Sequence, residues 1–161
     1  MFGPDAAAGR ELRRVIERRL VASDPEVRQV IEYASGALNR KPREIKRFVN
    51  LFRFYTMIYA ERKLANLPTL GSLHEVAKLA VLGIRWPSLL GCLGLPVNEE
   101  SADPVTVFEL LERPPDNNDE VRSVLQASGL SEATISGLLT PELTSFLRAK
   151  PVVDRGMRGY F

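Results

Sequence analysis

A run of cations in residues 39–53, NRKPREIKRFVNLFR, is the part of this sequence that points most directly to a chemical role. Its only acid is Glu44, and its six basic residues are Arg40, Lys41, Arg43, Lys46, Arg47 and Arg53. Most of these cations lie in the loop before Pro42 or in the first two turns of the helix that Pro42 predicts. A helix N-terminus carries about half a positive charge, so each cation there is unfavourable by a few tenths of a kcal/mol to about 1 kcal/mol. A bound phosphate would remove the conflict, because backbone N–H groups and basic side chains would then point at one anion.

The spacing of residues along this helix separates a polar stripe from an apolar one. Steps of three and four place five polar residues together, namely Arg43, Lys46, Arg47, Asn50 and Arg53. The opposite stripe contains Ile45, Phe48, Val49 and Phe52, and Phe54, Tyr55 and Ile58 widen it. The charge pattern alone leaves three interpretations open: a solvated basic face, a phosphate-binding site, or a contact with protein or nucleic acid.

The other reactive side chains exclude most catalytic and metal sites. Cys92 is the only cysteine and His74 the only histidine, which excludes a disulfide framework, a multi-cysteine zinc site and any site needing two histidines. His74-Glu75 begins an HExxH motif, but Lys78 stands where the second histidine would be. No nucleophile can be paired with a base, so we expect no metal site, no catalytic residue in this chain and no independent catalysis.

Length and composition are those of a globular protein. The chain has 161 residues, of which 45% are hydrophobic and 26% charged, so whole-chain disorder and a fibrous repeat are excluded. The net charge of +2 is unevenly distributed: residues 1–63 contain 14 basic and 8 acidic residues, whereas residues 64–161 contain 8 and 12. Residues 1–19 are too highly charged for a secretory signal, and two prolines interrupt the most apolar stretch, 79–97. We therefore expect no membrane span and a cytoplasmic location.

Helices are the elements expected to carry the basic segment. Apolar residues recur three and four positions apart, which predicts an all-α fold: a helical bundle around one long central helix from Pro42 to about Lys63. Capping residues are predicted at Ser23, Ser72 and Thr140. Further helices are predicted at about 10–22, from Pro25 to near Gly36, from Ser72 to about Trp86, in a short stretch before Gly94, and at 104–111, 119–127, 131–139 and 141–148.

The breaks between these helices predict a division of the chain. We expect a flexible N-terminus at 1–9, a lid-like helical bundle at 10–97, and a C-terminal subdomain of short helices with a tail at 98–161. The core of the bundle is expected to contain the apolar stripe of the long helix, with Leu79 and Trp86 packed nearby.

Two motifs in the chain resemble the helical C-terminal part of KAP-type P-loop NTPases. Residues 42–53, PREIKRFVNLFR, are similar to the family signature N-P-R-x-I-K-R-F-x-N-x-x-R, with Lys41 in place of its asparagine. Residues 77–87, AKLAVLGIRWP, are similar to the family's apolar helix that ends in R-W-P, and FLRAKP at 146–151 is similar to its tail. The resemblance extends over roughly residues 10–151 and is sharpest in the first two motifs.

The resemblance implies that the chain is a helical lid or regulatory portion of an AAA+- or STAND-like NTPase. Such a lid offers an arginine near a helix N-terminus to the outer phosphates of the nucleotide, and Arg43 is the matching position. Lys46 or Arg47 would be a second cation, and the supporting basic face would contain Arg40, Lys41, Asn50 and Arg53. The sequence contains no G-x-x-x-x-G-K-[ST] loop, so ATP and Mg²⁺ are implied only for the parent protein, whose NTPase core would be the partner.

A second hypothesis belongs to a different class of protein. The chain would be a stand-alone helical module that binds a protein partner, or a second copy of itself, through the basic face between Arg40 and Arg53. Nucleic acid is the less favoured partner for the same face. A Walker-type loop upstream in the same reading frame would discriminate the two hypotheses.

Overall fold

The computed structural model of this chain describes residues 25–67, 70–97, 104–114 and 117–151. Within these ranges the chain forms eight α-helices and no β-strand, which confirms the predicted all-α fold class. They are α1 (Pro25–Ala37), α2 (Pro42–Leu64), α3 (Leu73–Arg85), α4 (Pro87–Leu93), α5 (Val107–Glu112), α6 (Asn118–Ala127), α7 (Glu132–Leu138) and α8 (Pro141–Arg148). None of these described helices is both long and apolar enough to span a bilayer. The predicted segment at 1–9, the helix at 10–22 and the cap at Ser23 lie outside the described residues.

The chain divides into two compact units, Met1–Arg85 and Trp86–Phe161. Of the described helices, α1 to α3 belong to the first unit and α4 to α8 to the second. The division therefore precedes the boundary that we predicted between residues 97 and 98. Pro87 explains why α3 ends at Arg85, because a proline disfavours helical angles in the residue before it, and Trp86 has φ −131° and ψ 52°.

Helix α3 is the most deeply buried element of the first unit. Every residue from Glu75 to Leu82 is buried, and eight consecutive helical positions face all directions. Helices α1 and α2 both pack against α3. Lys78 is 0% exposed, so its long side chain is part of this core. The longest described helix, α2, has one buried face, formed by Phe48, Phe52, Tyr55, Thr56 and Ala60.

The apolar stripe of α2 is narrower than its sequence predicts. Phe48 is 1% and Phe52 3% exposed, whereas Ile45 and Val49 are only half-buried. Phe54, which we expected to widen the stripe, is 56% exposed, so this prediction is wrong. Phe54 follows Arg47 by seven positions and therefore lies on the same side of the helix as that cation, outside the buried face of α2.

The second unit is built from short helices around a shared apolar core. Helix α5 packs against α4, α6 and α8, and α7 packs against α4 and α6. Trp86, which we expected near the α2 stripe, belongs to this unit, and its ring centroid lies 5.4 Å from that of Phe146. The fully buried side chains of the unit are Leu93, Val107, Phe108, Leu111, Val121, Leu125, Ile135, Leu138, Leu143 and Leu147.

Two of the predicted caps can be compared with the structure. The Ser72 hydroxyl accepts a hydrogen bond from the Glu75 backbone N–H at 3.3 Å and caps α3, as predicted. Thr140 precedes α8, but its side chain makes no capping bond. Its hydroxyl instead donates to the Gly137 carbonyl of α7 at 3.2 Å. Thr140 therefore occupies the predicted N-cap position of α8, but its hydroxyl bonds the preceding helix and does not cap α8.

A capping box starts helix α5. The Thr106 hydroxyl accepts a bond from the Glu109 N–H at 3.2 Å, and the Thr106 N–H donates to the Glu109 carboxylate at 2.8 Å. We expect Thr106→Ala to lower the free energy of unfolding by about 1 kcal/mol, because the Glu109 N–H loses its acceptor. Thr106→Ser keeps the hydroxyl and should stay within about 0.5 kcal/mol of the natural chain in urea titrations. Equal losses in both variants would contradict a capping role.

Candidate functional site

The basic segment begins in the tight turn that joins α1 to α2. Asn39 and Arg40 have left-handed backbone angles, φ 51° and 54°, which are uncommon for a residue other than glycine. The Arg40 N–H donates to the Ser35 carbonyl at 2.9 Å, which closes the end of α1. Arg85 Nη1 donates to the Ala37 carbonyl at 3.2 Å, so the last residue of α3 also holds this turn. The C-terminal end of α3 therefore lies at the turn that precedes α2.

The N-terminus of α2 has no side-chain cap. Lys41 occupies the N-cap position and cannot accept a hydrogen bond through its ammonium group, and Pro42 follows in the first turn. The Lys41 Nζ lies 3.4 Å from the Glu44 carboxylate. The first N–H groups of a helix have no intrahelical partners, so this end of α2 offers hydrogen-bond donors beside a cluster of cations.

The predicted site residues all lie at the surface of the first unit. Arg40, Lys41, Arg43, Lys46, Arg47, Asn50 and Arg53 are all exposed. Apart from Lys41 with Glu44, no carboxylate among the described residues lies within ion-pair distance of these cations. The cations other than Lys41 are therefore exposed and make no ion pair within the described part of the chain.

Helix geometry divides these residues into two adjacent lines. Arg43, Arg47, Asn50 and Phe54 follow one another at steps of four, three and four, so they stack along one side of α2. Lys46 and Arg53 lie on a neighbouring line. The polar stripe predicted from the sequence is therefore two neighbouring lines. The aromatic ring of Phe54 lies at the C-terminal end of the first line.

An open groove lies beside the first of these lines. It has a volume of about 450 Å³ and is lined by Arg47, Asn50, Leu51 and Phe54 of α2 and by Gly83 and Ile84 of α3. Phe54 is the most exposed of the large apolar residues described. Our sequence reasoning missed this groove, because it assigned Phe54 to the core. The step of four from Asn50 to Phe54 was a signal that Phe54 shares a side of α2 with Asn50, although it does not show that a groove lies there.

The remaining candidates do not form a reaction centre in the described residues. The Glu75 carboxylate accepts bonds from the Gly71 N–H at 2.8 Å and the Ser72 hydroxyl at 3.2 Å, so it serves the start of α3. His74 lies edge-on to Tyr33, with ring centroids 6.4 Å apart. Burial raises the pKa of Tyr33 to about 12, and burial also raises the pKa of Tyr55, so both phenols stay protonated at neutral pH.

Comparison with protein-family models, with curated proteins and with solved structures found no match to this chain. The resemblance to KAP-type NTPases therefore rests on the sequence motifs at 42–53 and 77–87, and the family assignment stays a prediction.

Proposed function

We propose that this chain is the helical lid or regulatory portion of a P-loop NTPase, and that it contacts nucleotide phosphates held by a core outside this sequence. One observation carries the proposal. The exposed cations Arg43, Lys46 and Arg47 crowd the uncapped start of α2, and no carboxylate among the described residues pairs with them. A phosphate placed there would satisfy the side chains and the free amides together.

Arg43 has the most suitable position for such a contact. It is exposed in the first turn of α2, immediately after Pro42. A planar guanidinium can hold two phosphate oxygens at once, whereas a lysine ammonium acts as a point charge. Arg47 follows one turn later on the same line of the helix, and Lys46 lies beside it. In the proposed function Arg43 is the nucleotide-contacting residue, and ATP and Mg²⁺ belong to the parent protein.

The proposal assigns no catalytic step to this chain by itself. P-loop NTPases hold the triphosphate with a glycine-rich loop and position Mg²⁺ with a hydroxyl and an acid. The sequence has no such loop. The cations of α2 would add charge stabilisation to a site that other residues build.

Nucleotide assays on the chain alone test whether it needs the NTPase core to bind and hydrolyse ATP. We expect no ATP hydrolysis above background and at most weak ATP binding, because the loop amides and metal ligands are missing. The measurement is phosphate release together with binding of a fluorescent ATP analogue, with Mg²⁺ present. Hydrolysis by the purified chain that Arg43→Ala abolishes would contradict the proposal.

The groove between α2 and α3 favours a second candidate function. It combines apolar side chains with the exposed cation Arg47, and Arg43 lies one turn before Arg47 on the same line of α2. Surfaces that bind other proteins often join apolar and charged groups in this way. In this alternative the chain is a helical interaction module, and the basic face binds a macromolecule rather than a nucleotide.

A further inference from the structure

We infer that the groove between α2 and α3 binds an acidic amphipathic helix of a partner protein. The inference rests on the second candidate function and does not involve a nucleotide. The partner helix would lie in the groove lined by Arg47, Asn50, Leu51 and Phe54 on one side and by Gly83 and Ile84 on the other.

The shape of the groove suits a row of apolar side chains. Leu51 and Phe54 supply apolar surface on the α2 wall, whereas Ile84 is 8% exposed and Gly83 adds no side chain to the α3 wall. Phe54 is 56% exposed, so a partner that covers the ring gains hydrophobic free energy that the isolated chain lacks. Helices that bind such grooves insert apolar residues spaced three, four and seven positions apart.

The charge around the groove selects an acidic partner. On the α2 side, Arg47 lines the groove and Arg43 precedes it by one turn on the same line; both are exposed, and no carboxylate among the described residues pairs with them. Neither of the α3 residues that line the groove, Gly83 and Ile84, is charged. A complementary helix therefore carries its Asp and Glu residues along one flank of its apolar stripe.

The residues that line the groove also disfavour nucleic acid as the partner. Single-stranded nucleic acid is bound in positively charged grooves that follow the backbone, with aromatic side chains as stacking platforms. Of the described residues that line this groove, one, Arg47, is a cation, and Leu51, Gly83 and Ile84 are apolar. An aliphatic side chain fits that lining better than a base or a phosphate does.

The experiment is a selection of random peptides, about 16 residues or four helical turns long, displayed on phage and bound to the full chain. We expect the enriched peptides to share apolar residues at helical spacing flanked on one side by Asp or Glu. An enriched peptide, labelled with fluorescein, is then titrated against variants by fluorescence anisotropy. Phe54→Ser and Arg47→Glu should each weaken its binding at least about tenfold, because they remove the aromatic anchor and reverse a flanking charge.

Matched controls separate the groove from general surface effects. Leu64 is 54% exposed on the same helix outside the groove, so Leu64→Ser should change affinity less than about twofold. Lys63 lies about 24 Å along α2 from Arg47, beyond a screening length of about 8 Å, so Lys63→Glu should likewise have little effect. Circular dichroism of each variant verifies that it is folded.

Several results would overturn the inference. One is that the selection enriches no peptide, and another is that it enriches basic or uncharged sequences. A third is that an enriched peptide keeps its affinity for both Phe54→Ser and Arg47→Glu. Each of these three results would contradict the inference. A labelled oligothymidine of about 20 nucleotides is titrated in parallel. If it binds and no peptide is enriched, the face belongs to a nucleic-acid partner. None of these readouts uses ATP, so their failure is distinguishable from a failure of the proposed nucleotide contact.

Discussion

Phe48→Ala is expected to lower the free energy of unfolding by about 3–5 kcal/mol. Phe48 is 1% exposed, and its ring stacks on that of Phe52 with centroids 5.5 Å apart and planes 15° apart. Alanine removes most of the buried ring and leaves a cavity on the face of α2 that packs in the core with α3. Chemical denaturation followed by far-ultraviolet circular dichroism measures the loss.

Phe54→Ala is the matched control for this substitution. It deletes the same atoms from the same helix, but at a position that is 56% exposed. We expect its effect, like that of Lys46→Ala at another exposed position, to stay within about 0.5 kcal/mol. A loss below about 1 kcal/mol for Phe48→Ala would show that the buried face of α2 contributes little to stability.

Arg43→Ala, made in the parent NTPase of the proposed function, is expected to lower ATP turnover at least about tenfold, or about 1.4 kcal/mol of barrier. The exposed Arg43 guanidinium would contact phosphate charge that develops during transfer, and alanine removes that contact. The substitution should leave the fold intact, because Arg43 contributes no ion pair to any described residue. Steady-state phosphate release measures the effect.

The control for Arg43→Ala is Lys63→Ala at the opposite end of α2. Both residues are exposed, and both substitutions remove one positive charge. We expect Lys63→Ala to change turnover by less than about twofold, because its charge lies far from the helix N-terminus and is screened. Unchanged turnover and unchanged nucleotide affinity in Arg43→Ala would leave the basic face as a solvated or partner-binding surface. The interaction-module hypothesis would then be the better one.

Local signals in the sequence predicted the helices well. The predicted α2 ends within one residue of the observed Pro42–Leu64, because a first-turn proline marks its start and a polar break follows its end. Ser72 and Pro87 mark the two ends of α3 for equally local reasons, a capping hydroxyl and a ring that disfavours helical angles. The exposure of the basic segment was also predictable, since unpaired charges are costly to bury.

The groove could not be predicted in the same way. Periodicity places Phe54 on the line of Arg47 and Asn50, but the presence of a groove there depends on where α3 lies. The burial of Lys78 is a similar case. A lysine in an apolar helix is compatible with exposure at its edge, and only the packing of α1 and α2 on α3 places it inside.

The amino-acid sequence thus specified the fold class, most helix ends and the exposed cations, because these depend on interactions between residues within a few positions of one another. Tertiary packing specified the division at Arg85, the core position of α3 and the groove that borders Arg47 and Phe54. These features depend on contacts between residues far apart in the chain. Such contacts follow from how helix faces pack together, and the periodicity of a single helix does not contain that information.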